Sequence, residues 1–119
     1  MRARLTEILL DIGIERFALM PAGSPVANSS ELLSSPRMAQ FVDELRSCYG
    51  RLIVLFDLPS VLAVDDAMAF ASLVDCALLV VEEGATAVDD VRRAITRLEP
   101  TKTIGVVLNR SSWRESRSA

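Results

Sequence analysis

The sequence predicts an α/β fold, a parallel sheet with helices on both faces in three layers. Three observations carry this. The apolar runs "LIVLF", "CALLVV" and "TIGVVL" are continuous rather than alternating, as in strands buried on both faces. Stretches of helical periodicity separate them. Half of the 119 residues are hydrophobic and the mean hydropathy is +0.32, which allows one domain with a sizeable core.

The elements follow in order. Leu5, Ile8, Leu9 and Ile12 fall at helical spacing, so a short helix is expected from Arg4 to Ile12, with Gly13 as its C-cap. "RFALMPAG" reads as a strand ended by Pro21 and Gly23. In the loop that follows, Asn28 and Glu31 have capping-box spacing for one helical turn. Ser35 before Pro36 is a helix start, hydroxyl at the N-cap and proline at the first helical position. Met38, Phe41, Val42 and Leu45 form the apolar stripe of that helix.

Leu52 to Phe56 reads as the second strand. Asp65 and Asp66 suit the positive end of a following helix, "DDAMAFASLV", which is apolar on nearly every side and expected to be buried. "CALLVVE" is the third strand. Thr86 and Asp89 suggest a capping box, and Val88, Val91, Ile95 and Leu98 a buried stripe. Arg92, Arg93 and Arg97 suit the end of that helix, and Pro100 stops it. "TIGVVLN" is the fourth strand, and "RSSWRESRSA" a polar tail.

The bulk numbers exclude several classes. A net charge of -3 with scattered basic residues gives no nucleic-acid footprint. Apolar runs such as Ala77 to Val81 are far too short to cross a bilayer. Glu7 and Asp11 interrupt what a signal peptide would need as its apolar core. With no histidine and two distant cysteines, Cys48 and Cys76, a metal cluster is not expected, and two buried free thiols in a reducing cytoplasm are. The missing histidine, with no G-x-S-x-G elbow, also argues against a Ser or Cys hydrolase.

Ligands of parallel sheets bind beyond the carboxyl ends of the strands. Those ends are Asp57 to Ser60, Glu82 to Thr86, and Asn109 with Arg110. Asp57 follows a hydrophobic strand as a Walker B carboxylate does, a group that holds Mg²⁺, usually through water. The alternative is an Asp that caps a turn. Pro59 stiffens the backbone just past it. Asn109 offers donor and acceptor to a purine edge, or simply forms a turn. The partner loop of such a site, G-x-x-x-x-G-K-[ST], is not in this sequence. Of the five glycines, Gly13, Gly23, Gly50, Gly84 and Gly105, none precedes a lysine, and the single lysine, Lys102, stands before a strand.

Four blocks in order, "LMPAGSPVANSSELLSSPRMAQFVDEL", "LIVLFDLPSVLAVDDA", "LLVVEEGATAVDDVRRAI" and "IGVVLNR", resemble the bacterial tyrosine autokinases of capsular and exopolysaccharide biosynthesis, within the Min/Par-type deviant Walker ATPases. The resemblance covers roughly residues 14–110. It implies a P-loop NTPase-like domain, cytoplasmic, that binds Mg-ATP, phosphorylates tyrosines of its own C-terminal cluster and works with a membrane-embedded polysaccharide chain-length regulator. Such a partner would hold it peripherally at the inner face of the plasma membrane. By position, Asp57 matches the Walker B aspartate and Pro59 the first proline of D-x-P-P, with Ser60 in place of the second. Asp66 matches an acid after that motif, and Asn109, followed by Arg110, the base-contacting asparagine.

The family's Walker A loop, its second motif ending in D-x-D, its arginine-containing oligomerisation motif and its tyrosine-rich tail have no match here. Tyr49 is the single tyrosine, and its position suits packing at the start of a strand. The expectation is therefore the C-terminal half of such a domain: residues 1–110 a partial kinase-like domain, 111–119 a tail. A truncated gene, an incomplete reading frame or a split protein would each produce it. Alone, it is expected to lack catalysis, and either to expose open strand edges that favour oligomers or a complementary half, or to be marginally stable. The competing expectation is a non-catalytic docking or regulatory module. A phosphoacceptor receiver domain of similar size needs an acidic pair after its first strand and a lysine after its last; here those places hold "MPAG" and Asn109–Arg110.

Overall fold

The computed structural model describes residues 5–48, 51–99 and 101–112. The expectations for Arg4, the Cys48 thiol, Tyr49, Pro100 and the tail beyond residue 112 lie outside them. In chain order the elements are α1 (Leu5–Ile8), β1 (Leu10–Asp11), β2 (Ala18–Leu19), α2 (Ser29–Leu33), α3 (Pro36–Cys48), α4 (Asp66–Ala71), β3 (Ala77–Glu82), α5 (Val88–Arg97) and β4 (Thr103–Asn109).

The fold is α/β, and its central unit is β3–α5–β4. The two strands run parallel, in register from Leu78↔Gly105 to Glu82↔Asn109, and α5 makes the crossover that a parallel pair requires. One side of the unit is packed. Val61, Ala67, Ala71, Ala94 and Leu98 form the core, with Leu58, Leu62, Ala77 and Leu79 against it. Phe70 of α4 is only 1% exposed and meets the Phe56 ring edge-on, centroids 4.7 Å apart. The other side of the sheet is open: Leu78, Val80 and Val107 are exposed. Helices on both faces, expected from the continuous apolar runs, are thus not what surrounds β3 and β4 among the described residues.

The N-terminal half follows its local signals in part. Ser35 caps α3 as expected, its Oγ accepting the Met38 amide at 3.2 Å. Val42 and Leu45 bury the stripe of that helix. Arg46 then ties α3 to the start of the sheet unit, donating to the Leu73 carbonyl at 3.0 Å and Asp75 at 2.9 Å. The helix expected to reach Ile12 ends at Ile8, because Leu10–Asp11 pairs antiparallel with Ala18–Leu19. Gly13 sits at the turn of that ribbon with φ +78°, its amide donating to Asp11 Oδ1. The strand expected over "RFALMPAG" shrinks to those two residues.

Other expectations are corrected. Leu52 to Phe56 belongs to no ladder, and Ile53 and Leu55 are 88% and 81% exposed. A strand needs a partner for its amides and carbonyls, and none stands beside this one among the described residues. The Asn28 side chain bonds the Glu31 carboxylate, not the helix backbone. Thr86 does not cap α5. Ala87 holds the N-cap position, and Thr86 Oγ1 accepts the Glu82 amide at 2.9 Å. The buried face of α5 is Ala94 and Leu98, while Val88 is 67% exposed. The Cys76 thiol is exposed, not buried. The radius of gyration, 16.9 Å, exceeds the ~13.5 Å of a compact domain of this length.

Candidate functional site

The parallel pairing brings the carboxyl ends of β3 and β4 side by side. Glu82 stands opposite Asn109, and the Glu83 amide continues the ladder to the Asn109 carbonyl at 3.1 Å. Just past the strand, Arg110 takes φ +53°, a left-handed turn, and its amide donates to Asn109 Oδ1 at 2.9 Å. The turn swings the Arg110 guanidinium back onto Glu82 Oε1 at 3.1 Å. Ser112 then closes on the neighbouring acid, its amide 2.6 Å from Glu83 Oε2 and its hydroxyl 3.3 Å away. The Ser112 amide, with help from the Ser111 hydroxyl, holds the Glu83 carboxyl below its ordinary value of 4.5. Asn109 Oδ1 thus spends one of its acceptor positions on the turn itself.

Asp57 lies elsewhere on the chain. It ends the unpaired stretch that begins at Leu52, between two anchored neighbours: Phe56 against the Phe70 ring and Leu58 against the core. Its own side chain is exposed and enters none of the ion pairs of the described residues. Pro59 is exposed, and the Ser60 carbonyl accepts the Ala63 and Val64 amides, so a tight turn follows the acid directly. Asp66, the first residue of α4, is half-buried and accepts the Ser29 hydroxyl at 2.8 Å.

The structure therefore unites Asn109 and Arg110, adds Glu82, Glu83 and Ser112, and joins neither Asp57 nor Asp66 to them by a hydrogen bond or ion pair among the described residues. The consecutive glutamates after an apolar strand were the available signal for the acids. Ser29 and Ser112 had none, because their partners are far away in sequence.

No group of three or more His, Cys, Asp or Glu side chains stands together among the described residues, and a Mg²⁺ held by one or two carboxylates, waters and phosphates would need none. A Cβ added at Gly13, Gly23 or Gly84 would meet nothing within 4 Å; each has a positive φ, and none precedes the lysine that a phosphate cradle of the P-loop kind needs. Lys102 precedes β4, at the end of the sheet opposite Asn109. An open groove lined by Leu62, Arg92, Arg93, Thr96 and Arg97 is not a substitute, since Asp89, Asp90 and Asp65 already pair its arginines.

No family model matches the chain. It is 38% identical over 106 residues to the succinoglycan biosynthesis transport protein ExoP of Rhizobium meliloti, covering 84% of this chain and 13% of that protein. It is 31% identical over 93 residues to the tyrosine-protein kinase YwqD of Bacillus subtilis, covering 76% of this chain and 38% of YwqD. Its backbone superposes on the crystal structure of the VpsO kinase domain with a TM-score of 0.80 at 29% identity, over 92% of this chain and 54% of that one. The chain belongs to the bacterial tyrosine-protein kinase family. It spans well under half the length of these two curated relatives and about half of the VpsO kinase domain. The resemblance of the four sequence blocks is thereby borne out, and so is its restriction to part of the kinase domain. The described helices include none long and apolar enough to cross a membrane.

Proposed function

We propose that this chain is part of a protein-tyrosine kinase-like ATPase domain serving exopolysaccharide or capsule biosynthesis and export. The observation that carries the proposal is its superposition on about half of the VpsO kinase domain, together with an exposed carboxylate, Asp57, held between two anchored hydrophobic neighbours. In this reading the domain is P-loop NTPase-like and three-layered when complete, and residues 1–110 contribute to it while 111–119 form a tail. Asp57 is its Walker B acid and acts on Mg²⁺ through water. Pro59 fixes the backbone beside it, Asp66 supports that segment, and Asn109 with Arg110 borders the base. Bound Mg-ATP would supply the phosphoryl group. The residues of this chain would orient the nucleotide and exclude water, but the phosphates would lack a cradle. Its partner would be a membrane-embedded polysaccharide chain-length regulator, which would bring a cytoplasmic domain to the membrane.

Isothermal calorimetry tests the site. The chain alone is expected to give no Mg-ATP binding at about millimolar nucleotide, a bound set by affinities too weak to form a defined complex. Micromolar binding that Asp57→Ala abolishes would overturn the statement that the cradle is missing.

The glycine and lysine inventory favours a second reading, a non-catalytic docking or regulatory module. In that case the chain captures the chain-length regulator in a pull-down, and Asp57→Ala leaves capture unchanged. Lack of enrichment over a resin control would count against it.

A further inference from the structure

Three arginines of α5, Arg92, Arg93 and Arg97, line one groove with Leu62, and their hydrogen bonds separate them. Arg92 and Arg93 pair with Asp89 and Asp90 of their own helix, one turn back, and stay largely in solvent. Exposed pairs of that kind hold little. Arg97, the last residue of α5, reaches out of the helix instead. Its guanidinium donates to the Val61 carbonyl at 2.9 Å from one nitrogen and to Asp65 Oδ1 at 3.5 Å from the other. These two acceptors bracket the turn in which the Ser60 carbonyl accepts the Ala63 and Val64 amides.

That turn follows Asp57 directly. Val61 is 7% exposed and shares the core with Ala94 of α5 and Leu98 at its C-cap. Packing settles the Val61 side chain, but its part-buried carbonyl still needs a donor, and Arg97 supplies it. A planar guanidinium can serve a carbonyl and a carboxylate together, whereas a lysine ammonium is a single point of charge. Between Asp57 and Val61, Leu58 packs on the core and Pro59 has a fixed φ. Few free torsions remain, so the backbone at Asp57 follows the backbone at Val61. On the other side Phe56 is set against the Phe70 ring. The acid therefore rides on a short segment fastened at both ends, and Arg97 is the polar fastening of one end.

We infer that Arg97 is a positioning residue for Asp57: by holding the Val61 carbonyl and Asp65 from one guanidinium, it fixes the backbone from which that carboxylate projects. The use of the carboxylate for Mg²⁺ rests on the kinase reading above, while the positioning rests on the hydrogen bonds.

The test is nitrogen-15 relaxation of the full chain. Asp57 and Val61 amides should show order parameters near the rigid value of about 0.85, and Arg97→Met, which keeps an apolar stem and removes every donor, should bring both below about 0.6. Amides of β3 and β4 should keep their values, which a general loss of stability would not allow. Arg97→Lys retains the charge and one donor head, so its Asp57 value should fall between the two. Arg93→Met loses a pair within its own helix alone and should match the unsubstituted chain. An Asp57 order parameter that Arg97→Met leaves unchanged overturns the inference. So does a lysine variant no more ordered than the methionine one, or an equal effect from Arg93→Met. Should Arg97→Met fail to fold, the lysine variant decides, and an Asp57 value equal to that of the unsubstituted chain overturns the inference. Mn²⁺ alone separates this from the kinase reading. It should broaden the resonances around Asp57, and Asp57→Asn should abolish the effect. Absence of broadening sinks the Mg²⁺ assignment and leaves the positioning, while broadening with order parameters indifferent to Arg97 does the reverse.

Discussion

The Ser29 hydroxyl donates to the Asp66 carboxylate at 2.8 Å, joining the first residue of α2 to the first residue of α4 across 37 positions of chain. The bond does two things. It holds a short helix, α2, that buries no residue of its own. It also fixes the start of α4, whose Phe70 and Ala71 lie in the interior.

Ser29→Ala should therefore lower stability by about 1 kcal/mol, the usual net worth of a hydrogen bond, toward the upper end because the acceptor is charged. Asp66→Asn should cost a similar amount, and the double variant little more than either. Urea denaturation of the three variants gives the coupling; additive losses would show that the two side chains act independently.

Among the described residues Phe70 is the most deeply buried large side chain, and its ring packs edge-on against Phe56, directly before Asp57. Phe70→Ala should cost about 3–5 kcal/mol, enough to unfold much of a chain with so small a core. Phe56→Leu keeps most of the apolar volume and loses the aromatic geometry, about 0.5–1.5 kcal/mol. Circular dichroism melts of the pair should rank them in that order. The Leu variant should also speed proteolysis within residues 52–57, because Phe56 is one of the two anchors of that stretch.

What the sequence made legible depends on how far each signal reaches. Ser35 and Pro36 announce the start of α3 with chemistry contained in four residues, and the Met38 amide finds the expected hydroxyl. The strands β3 and β4 were legible because both partners lie in the chain and α5 joins them. Leu52 to Phe56 has the same composition and yet forms no strand. Composition states that a segment suits a sheet, whereas a ladder also needs a neighbour, and no residue of the run reports one. Thr86 shows the limit at short range: its hydroxyl, expected to cap α5, instead accepts the Glu82 amide at the end of the strand. Asn109 was readable as a strand-end residue, whereas Asp57 ends a stretch that joins no ladder; the Arg110–Glu82 pair and the Ser29–Asp66 bond depend on contacts 28 and 37 positions apart, which periodicity does not encode.

Glu83 gives a pH prediction. The Ser112 amide, foremost, and the Ser111 hydroxyl stabilise its carboxylate, so its folded pKa lies below the ordinary 4.5. A depressed carboxylate contributes stability that is present above its unfolded pKa and is lost as pH falls through the folded one. The contact between the 111–112 segment and β3 should therefore loosen only at pH below 4.5. Side-chain carbon NMR titration should place the Glu83 midpoint under that value, and Ser112→Pro, which removes the amide hydrogen, should raise it. A midpoint unmoved by the proline would mean that the amide is not what holds the carboxylate.

Thr101 separates hydrogen bonding from packing at the joint between α4 and β4. It is 5% exposed, and its hydroxyl donates to the carbonyl of Ala71, the last residue of α4. The final carbonyls of a helix have no partner within it, so this one is satisfied from two elements away. Thr101→Val keeps the shape and removes the donor, which leaves a buried carbonyl unpaired at a cost of about 1–3 kcal/mol. Thr101→Ser keeps the donor and removes one methyl, with a loss of about 1 kcal/mol or less. Urea midpoints should therefore fall further for the valine than for the serine variant, with unchanged slopes. The reverse order would assign the joint to methyl packing, and the Ala71 carbonyl would then have to be satisfied by solvent.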